Sequence, residues 1–301
     1  MKELVVISGK GGTGKTSIVA SFAAMDGNKV LADCDVDAAD LHLILEPTIR
    51  HSEEFYGGNQ AVIRAEDCVG CGACLDRCRF NAVRMRGEKG GETSYSIDPI
   101  ACEGCGVCVW ACPVNAIDFP RKKSGEWFVS DTRHGTMVHA KLGVAEENSG
   151  KLVTLVRNQA KQIAKERGAS LIIVDGAPGI GCPVIASITG ADLVLAVTEP
   201  TMSGMHDLER VVELARHFNI KPVVCVNKFD LNEEIAGAIE RRSAELGAHV
   251  IGRIRYDVAV TKAQMERKSI VEYSDGKVAR EIENMWSSLQ EALYTEAATL
   301  D

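Results

Sequence analysis

The chain opens with 1-MKELVVISGKGGTGKT-16, and the order of residue types in this stretch decides the fold. Leu4 to Ile7 is a short apolar run suited to a buried strand. Gly9 to Gly14 cannot continue it and reads as a loop, and Thr16 to Met25 has helical spacing ended by Asp26-Gly27. In 9-GKGGTGKT-16 the glycines let backbone N–H groups wrap a phosphate. Lys15 can reach the β and γ phosphates, and the Thr16 hydroxyl can face Mg²⁺. A strand before the loop and a helix after it are the setting this chemistry requires.

Outward from this start, apolar strands alternate with helical stretches. Lys29 to Ala32, Leu171 to Val174, Leu193 to Val197 and Val223 to Val226 read as strands. Ser149 is placed to cap a helix running to Arg167, with further helices near 203–217 and 232–246 and a closing helix over 275–298. This rhythm predicts an α/β fold with a mostly parallel sheet covered on both faces. It is expected to break off near residue 50 and resume near 145.

Between these limits lies 67-DCVGCGACLDRCRF-80, four cysteines at C-x2-C-x2-C-x3-C spacing. Cys68, Cys71, Cys74 and Cys78 recur thirty-four residues later as Cys102, Cys105, Cys108 and Cys112, and Asn81-Ala82-Val83 is answered by Asn115-Ala116-Ile117. The repeat predicts a pseudo-twofold module over 60–120, inserted into an α/β domain formed by 1–59 and 121–301.

The 301 residues are 46% hydrophobic and 25% charged, enough to bury a sizeable core. A net charge of −8, with no concentrated Lys/Arg run, argues against nucleic acid as a partner. Nowhere do eighteen apolar residues follow one another, so no membrane insertion is expected. The start carries no signal-peptide pattern, which points to the cytoplasm. In a reducing compartment eleven cysteines argue for metal or cluster ligation over disulfides.

The loop resembles the deviant Walker A motif of the MinD, ParA and nitrogenase iron-protein ATPases, in which a second lysine follows the first glycine. The resemblance implies a P-loop NTPase that hydrolyses ATP slowly in isolation, with Gly9, Lys10, Gly11, Gly12, Thr13, Gly14, Lys15, Thr16 and Ser17 on the nucleotide. It implies that Lys10 reaches across a dimer interface to a partner's nucleotide. In 33-DCDVDAADLH-42, Asp35 matches the switch I aspartate that positions the attacking water near the metal, while Asp37 and Asp40 can equally be helix-start acids. In 171-LIIVDGAPG-179, Asp175 resembles the Walker B acid on the Mg²⁺ water shell, with Gly179 near the γ phosphate. In 223-VVCVNKFD-230, Asn227 sits where the family holds adenine. The partner implied is a second copy or a paralogous ATPase.

The cysteine runs resemble a bacterial two-cluster ferredoxin, an α+β module in which the last cysteine of each run ligates the other 4Fe-4S cluster. By that resemblance Cys68, Cys71, Cys74 and Cys112 hold one cube, and Cys102, Cys105, Cys108 and Cys78 hold the second. Cys112 is followed by the usual proline but Cys78 by Arg79. Two tetrahedral zinc sites are the alternative, although zinc motifs usually pair C-x2-C dyads across a gap. Cys182 matches in spacing a switch II cysteine of the nitrogenase iron protein, or is a small buried thiol; Cys34 and Cys225 read as core. The whole chain is similar to MinD-superfamily ATPases with an inserted ferredoxin domain. Two functions are implied. One is ATP-gated electron transfer to a redox partner. The other is Mrp-type delivery of clusters to an apo iron–sulfur protein, against which the absence of a paired C-x-x-C bridging motif counts. A MinD-like membrane switch needs a basic C-terminal helix, whereas 281–301 holds five acidic residues and no Lys or Arg.

Overall fold

A computed structural model describes residues 1–89, 92–143 and 149–295. The expected resumption near 145, the last residues of the closing helix expected over 275–298, and the end of the acidic C-terminal stretch lie outside them.

The described chain forms two compact units. The first comprises Met1–Glu53, Trp127–Lys141 and the described residues from Ser149 onward. The second comprises Glu54–Glu126 with described residues of the connection at 142–143.

In the first unit the sheet is built on strands in the order His249–Ile254, Lys221–Asn227, Leu193–Thr198, Lys2–Ser8, Leu171–Pro178, Lys29–Asp33 and Gly135–Leu142. All neighbours in this series run parallel. Leu4, Val5, Val6 and Ile7 are fully buried, as expected of a central strand covered on both faces. The sheet continues through Arg121–Thr132 to Thr48–Asn59.

These last two strands and Gly135–Leu142 differ from the sequence expectation, which left the α/β pattern interrupted until about 145. The cause is visible in their residues. Thr48–Asn59 reads TIRHSEEFYGGN and is exposed along its first seven positions, as an edge strand guarded by charges can be. Arg121–Thr132 opens with three cations. Neither shows the apolar alternation that marks a half-buried strand. His249–Ile254, with a largely half-buried pattern, also lacks that signal.

Helices occupy Lys15–Ala24, Ser149–Glu166, Met202–His217, Glu233–Glu245 and Lys277–Tyr294. Their starts are chemical. Thr201 accepts from the Gly204 N–H and Asn232 from the Ile235 N–H, each satisfying a donor that the first turn leaves free. In Lys277–Tyr294, Val278, Ile282, Met285, Leu289 and Leu293 recur at helical spacing and are buried, and Trp286 packs with Phe22 at 4.9 Å between ring centroids. No described helix is long and apolar enough to cross a membrane.

The second unit carries the internal repeat into three dimensions. Short helices at Ala73–Arg77 and Val107–Ala111 each follow a left-handed glycine, Gly72 and Gly106. Asn81 and Asn115 both take positive φ, 54° and 52°. Two small antiparallel sheets pair Val62–Ile63 with Ile117–Asp118 and Val83–Lys89 with Glu92–Ile97. A small core of Ala61, Cys74, Val83 and Ile117 holds the unit together.

Candidate functional site

The phosphate loop leaves the strand at Ser8 and enters the helix at Lys15. Gly14 has φ 90°, and a Cβ there would collide with the Asn227 carboxamide, so two constraints demand glycine. Asn227 donates from Nδ2 to the Thr13 carbonyl at 2.7 Å, and Lys228 donates to the Gly12 carbonyl at 3.0 Å. The loop is therefore held from behind by the end of a neighbouring strand. Asn227 and Lys228 also line a cavity with Gly12, Gly14, Ser17, Tyr256 and Gln264. Asn227 and Ser17 thus meet in one pocket beside the loop. Ser17 Oγ accepts from Gln264 at 2.8 Å.

Lys15 is buried, with only 5% of its surface exposed. Its Nζ lies 2.5 Å from Asp175 Oδ1 and 3.4 Å from Asp35 Oδ2. Burial works against the charge, but Asp175 and Asp35 outweigh it and hold the ammonium pKa above its ordinary value. Asp33, not singled out in the sequence, is the neighbour of Asp175 across two parallel strands and is fully buried. Burial, and then the Asp175 charge, push the Asp33 carboxyl well above the usual carboxylate range. Burial raises Asp35 as well, with Lys15 opposing.

Asp175 Oδ2, Asp33 Oδ2 and Thr13 Oγ1 are buried without a hydrogen-bond partner among the described residues. Orphaned buried carboxylate oxygens beside a phosphate loop are the donor set a hydrated Mg²⁺ fits, since that ion keeps several waters and takes one or two carboxylates plus phosphate oxygens. Thr16 stands half-buried in the first helical turn.

Lys10 is held within its own chain. Its Nζ is 2.7 Å from Glu199 Oε1 and 3.1 Å from Ser203 Oγ, and Glu199 Oε2 is 3.3 Å from Lys228 Nζ. Burial tends to raise the Glu199 pKa, but hydrogen bonds from Lys10 and Lys228 outweigh it and lower the value. Glu199 and Lys228 escaped the sequence reading. Lys228 follows Asn227 directly, and Glu199 follows a strand at the same sheet end, which were the available signals.

In the second unit two pockets are ringed by cysteines. Cys68, Cys71, Cys74 and Cys112 line one, and Cys78, Cys102, Cys105 and Cys108 line the other. Each pocket takes three cysteines from one run and the last cysteine of the other. The Ala116 N–H donates to Cys112 Sγ at 3.2 Å. Burial would raise the Cys78 thiol, but backbone N–H groups of Ala82, Phe80, Val83 and Asn81 outweigh it and lower its pKa, favouring the thiolate a cluster needs. No three His, Cys, Asp or Glu side chains converge as tightly as a single ion requires among the described residues. Three thiols from one run and one from the other is the ligand pattern of a two-cluster ferredoxin. Cys182 is exposed at the first residue of a short helix, Cys182–Ile188, whereas Cys34 and Cys225 are buried in strand surroundings.

Residues 48–117 match the family model of the 4Fe-4S dicluster domain. Over 295 residues the chain is 33% identical to the uncharacterized protein MJ0578 of Methanocaldococcus jannaschii, covering 96% of each. The chain belongs to one family with MJ0578 and carries a 4Fe-4S dicluster domain. A second member-like relative in the same organism, the uncharacterized protein MJ0579, is 26% identical over 283 residues, covering 91% of this chain and 94% of that one. The MinD-type fold is also seen in the septum site-determining protein MinD of Pyrococcus horikoshii, complexed with Mg-ADP, at TM-score 0.58 and 14% identity over 99% of both chains.

Proposed function

We propose that this protein is a Mg²⁺-dependent ATPase whose nucleotide state governs one-electron transfer through two 4Fe-4S clusters. The observation that carries the reading is the presence, in one chain, of a phosphate loop with a buried lysine–carboxylate cluster and two pockets each ringed by four cysteines from both runs.

On this reading Gly9 to Ser17 bind the phosphates, with Lys15 turning from Asp175 and Asp35 toward the β and γ positions. Thr16 and Asp175 hold Mg²⁺, which supplies charge neutralisation on the phosphates. Asp35 orients the attacking water, and Asn227 takes the base. Lys10 exchanges Glu199 for the nucleotide of a second subunit, so hydrolysis in an isolated chain is slow. That subunit is another copy or a paralogue; two full-length relatives in one organism support the second possibility. The cysteine pockets hold the clusters, the compartment is the cytoplasm, and the acceptor is a redox protein.

The test is EPR of cluster reduction and reoxidation with and without Mg-ATP, paired with ATP affinity in oxidised and dithionite-reduced protein. Coupling requires that ATP shift the midpoint potentials and that reduction change ATP affinity by the same factor. Equal potentials and affinities in all states, with acceptor absent and then present, would reduce the chain to two fused but independent functions. Transfer of iron and sulfide to an apo-ferredoxin at the expense of this chain would assign it to cluster delivery instead.

A further inference from the structure

Lys10 and the acid it meets both stand on fixed backbone. Ser8 Oγ donates to the Lys10 carbonyl at 2.8 Å, and a Cβ on Gly9 would collide with Asp207, so the start of the loop is pressed against the helix Met202–His217. A Cβ on Gly204 would strike the Glu199 carbonyl, and the Thr201 N–H donates to that carbonyl at 2.7 Å. Movement of Lys10 relative to Glu199 therefore falls to the side chains.

Glu199 divides its two oxygens between two lysines. Oε1 takes Lys10 at 2.7 Å and Oε2 takes Lys228 at 3.3 Å, while Lys228 is itself anchored to the Gly12 carbonyl at 3.0 Å. Lys10 Nζ also lies 3.1 Å from Ser203 Oγ and 3.4 Å from Thr201 Oγ1.

Departure of Lys10 strands none of these groups. Glu199 keeps Lys228, the two hydroxyls lie 3.2 Å apart and can bond to each other, and Thr201 Oγ1 still accepts from the Gly204 N–H at 2.9 Å. Release then costs little beyond the attraction of the pair itself. The Lys10 and Glu199 side chains keep 31% and 19% of their surface in solvent, so that attraction is screened and small. Lys15, buried against Asp175 and Asp35, is held far more firmly.

We propose that Glu199 is a positioning residue that parks Lys10 within its own chain and so sets how readily nucleotide draws two copies of this protein together. The inference rests on the proposed reach of Lys10 to a second subunit's nucleotide and adds the regulation of that step. A carboxylate already shared with Lys228 is a weaker anion for Lys10 than the phosphates of a nucleotide, so the side chain leaves when they come within reach. Each copy must release its own Lys10, so the contact is opened twice for every pair formed.

The probe is Mg-AMPPNP, a non-hydrolysable triphosphate, with full-length protein purified anaerobically and followed by analytical sedimentation. Wild type is expected to associate with Mg-AMPPNP and not without it, and Lys10→Ala to stay monomeric in both. Glu199→Gln should tighten the nucleotide-dependent association roughly threefold per contact opened, and so roughly tenfold for a pair. Ser203→Ala, which cuts one bond to Lys10 and leaves Lys228 and Gly12 alone, should tighten it by less. A residue that merely supported the loop would weaken association when replaced, so the sign of the change separates the two roles. Labelling of Lys10 by acetic anhydride in nucleotide-free protein, read by peptide mass spectrometry, is the second measurement. Freed of its carboxylate, the amine should react faster in Glu199→Gln. Urea unfolding establishes that each variant is folded, and Ser203→Ala carries the test if Glu199→Gln is not. Association in wild type and its loss in Lys10→Ala, with Glu199→Gln no tighter than wild type or with Lys10 labelling unchanged, overturn the role of Glu199 alone. Lys10→Ala that associates as wild type does overturns the reach of Lys10 to a second subunit and this inference with it. If neither wild type nor Glu199→Gln associates, two copies of this chain do not complete the site and the inference falls.

Discussion

Replacing Lys15 by methionine removes the one ammonium held by Asp175 and Asp35, at 2.5 and 3.4 Å. At an effective dielectric near 20, charges at these separations attract by about 5–7 kcal/mol each before desolvation is subtracted. Breaking a buried pair from one side, which strands the partner charge, costs about 3–5 kcal/mol net. The loss should be full at neutral pH. Partners raise the Lys15 pKa above 10.5, so its contribution is present below that value and disappears only as pH rises through the folded pKa. Urea unfolding without nucleotide or Mg²⁺ is the assay, with an accompanying fall in Tm of roughly 6–15 °C. Acidification toward pH 4 should narrow the gap between variant and wild type, because Asp35, whose pKa is raised by burial against the pull of Lys15, then takes up protons. The double variant Lys15→Met/Asp175→Asn should recover much of the loss, since it removes both members of the pair. A Lys15→Met protein as stable as wild type at pH 7, or additive losses in the double variant, would refute the internal-counterion account.

Burial holds His139 near a pKa of about 4, with the His42 charge acting in the same direction, so it is neutral in the folded state at pH 7. Below pH 6.5 the unfolded chain binds this proton first, and stability should fall by roughly 3 kcal/mol by pH 4; His139→Gln should flatten that slope, and an unchanged slope in urea titrations would count against it. Cys112→Ala, although in the second run, should remove the cluster of the first and cut iron and sulfide by about half; metal and sulfide analysis decides. Asp35→Ala should bind ATP but not hydrolyse it, as read by calorimetry and phosphate release, and wild-type turnover would remove Asp35 from its water-positioning role.

What was legible in the sequence was local. The phosphate loop and the cysteine runs are short patterns whose chemistry depends on spacing, and Asp35 and Asp175 stand at ends of strongly apolar strands. What was not legible depended on distant neighbours. Glu199 meets Lys10 from 189 positions away, and Asp33 acquires its character only from lying beside Asp175 in the sheet. The strand at Thr48–Asn59 carries Arg50, His51, Glu53 and Glu54 in nearly consecutive positions, a pattern that reads as a polar loop until a neighbouring strand supplies Asp131 for Arg50 and Lys123 for Glu54. Edge protection and loop composition use the same residues, so composition alone does not separate them.

The three carboxylates behind the phosphate loop have a further consequence for how nucleotide binding must proceed. Without nucleotide, Lys15 answers Asp175 and Asp35, while Asp33 lies buried beside them with its pKa far above normal. One ammonium therefore serves a site that holds more negative charge than it can neutralise. Phosphates arriving alone would compete for that same ammonium and leave the carboxylates uncompensated in a buried setting, which is costly. Phosphates arriving with Mg²⁺ would bring a replacement cation, and Asp175, whose Oδ2 has no partner among the described residues, would be a residue to hold it. On the proposed reading, Lys15 exchanges its carboxylate partners for phosphate when Mg-ATP binds, and Asp175 would then hold the metal, whose charge would replace that of the ammonium. Mg-ATP should bind far more tightly than metal-free ATP for this reason, beyond any contact the metal makes with phosphate itself. Asp33→Asn should stabilise the nucleotide-free protein in urea titrations at pH 7 by removing a carboxyl whose ionisation burial opposes, and unchanged stability would count against that account.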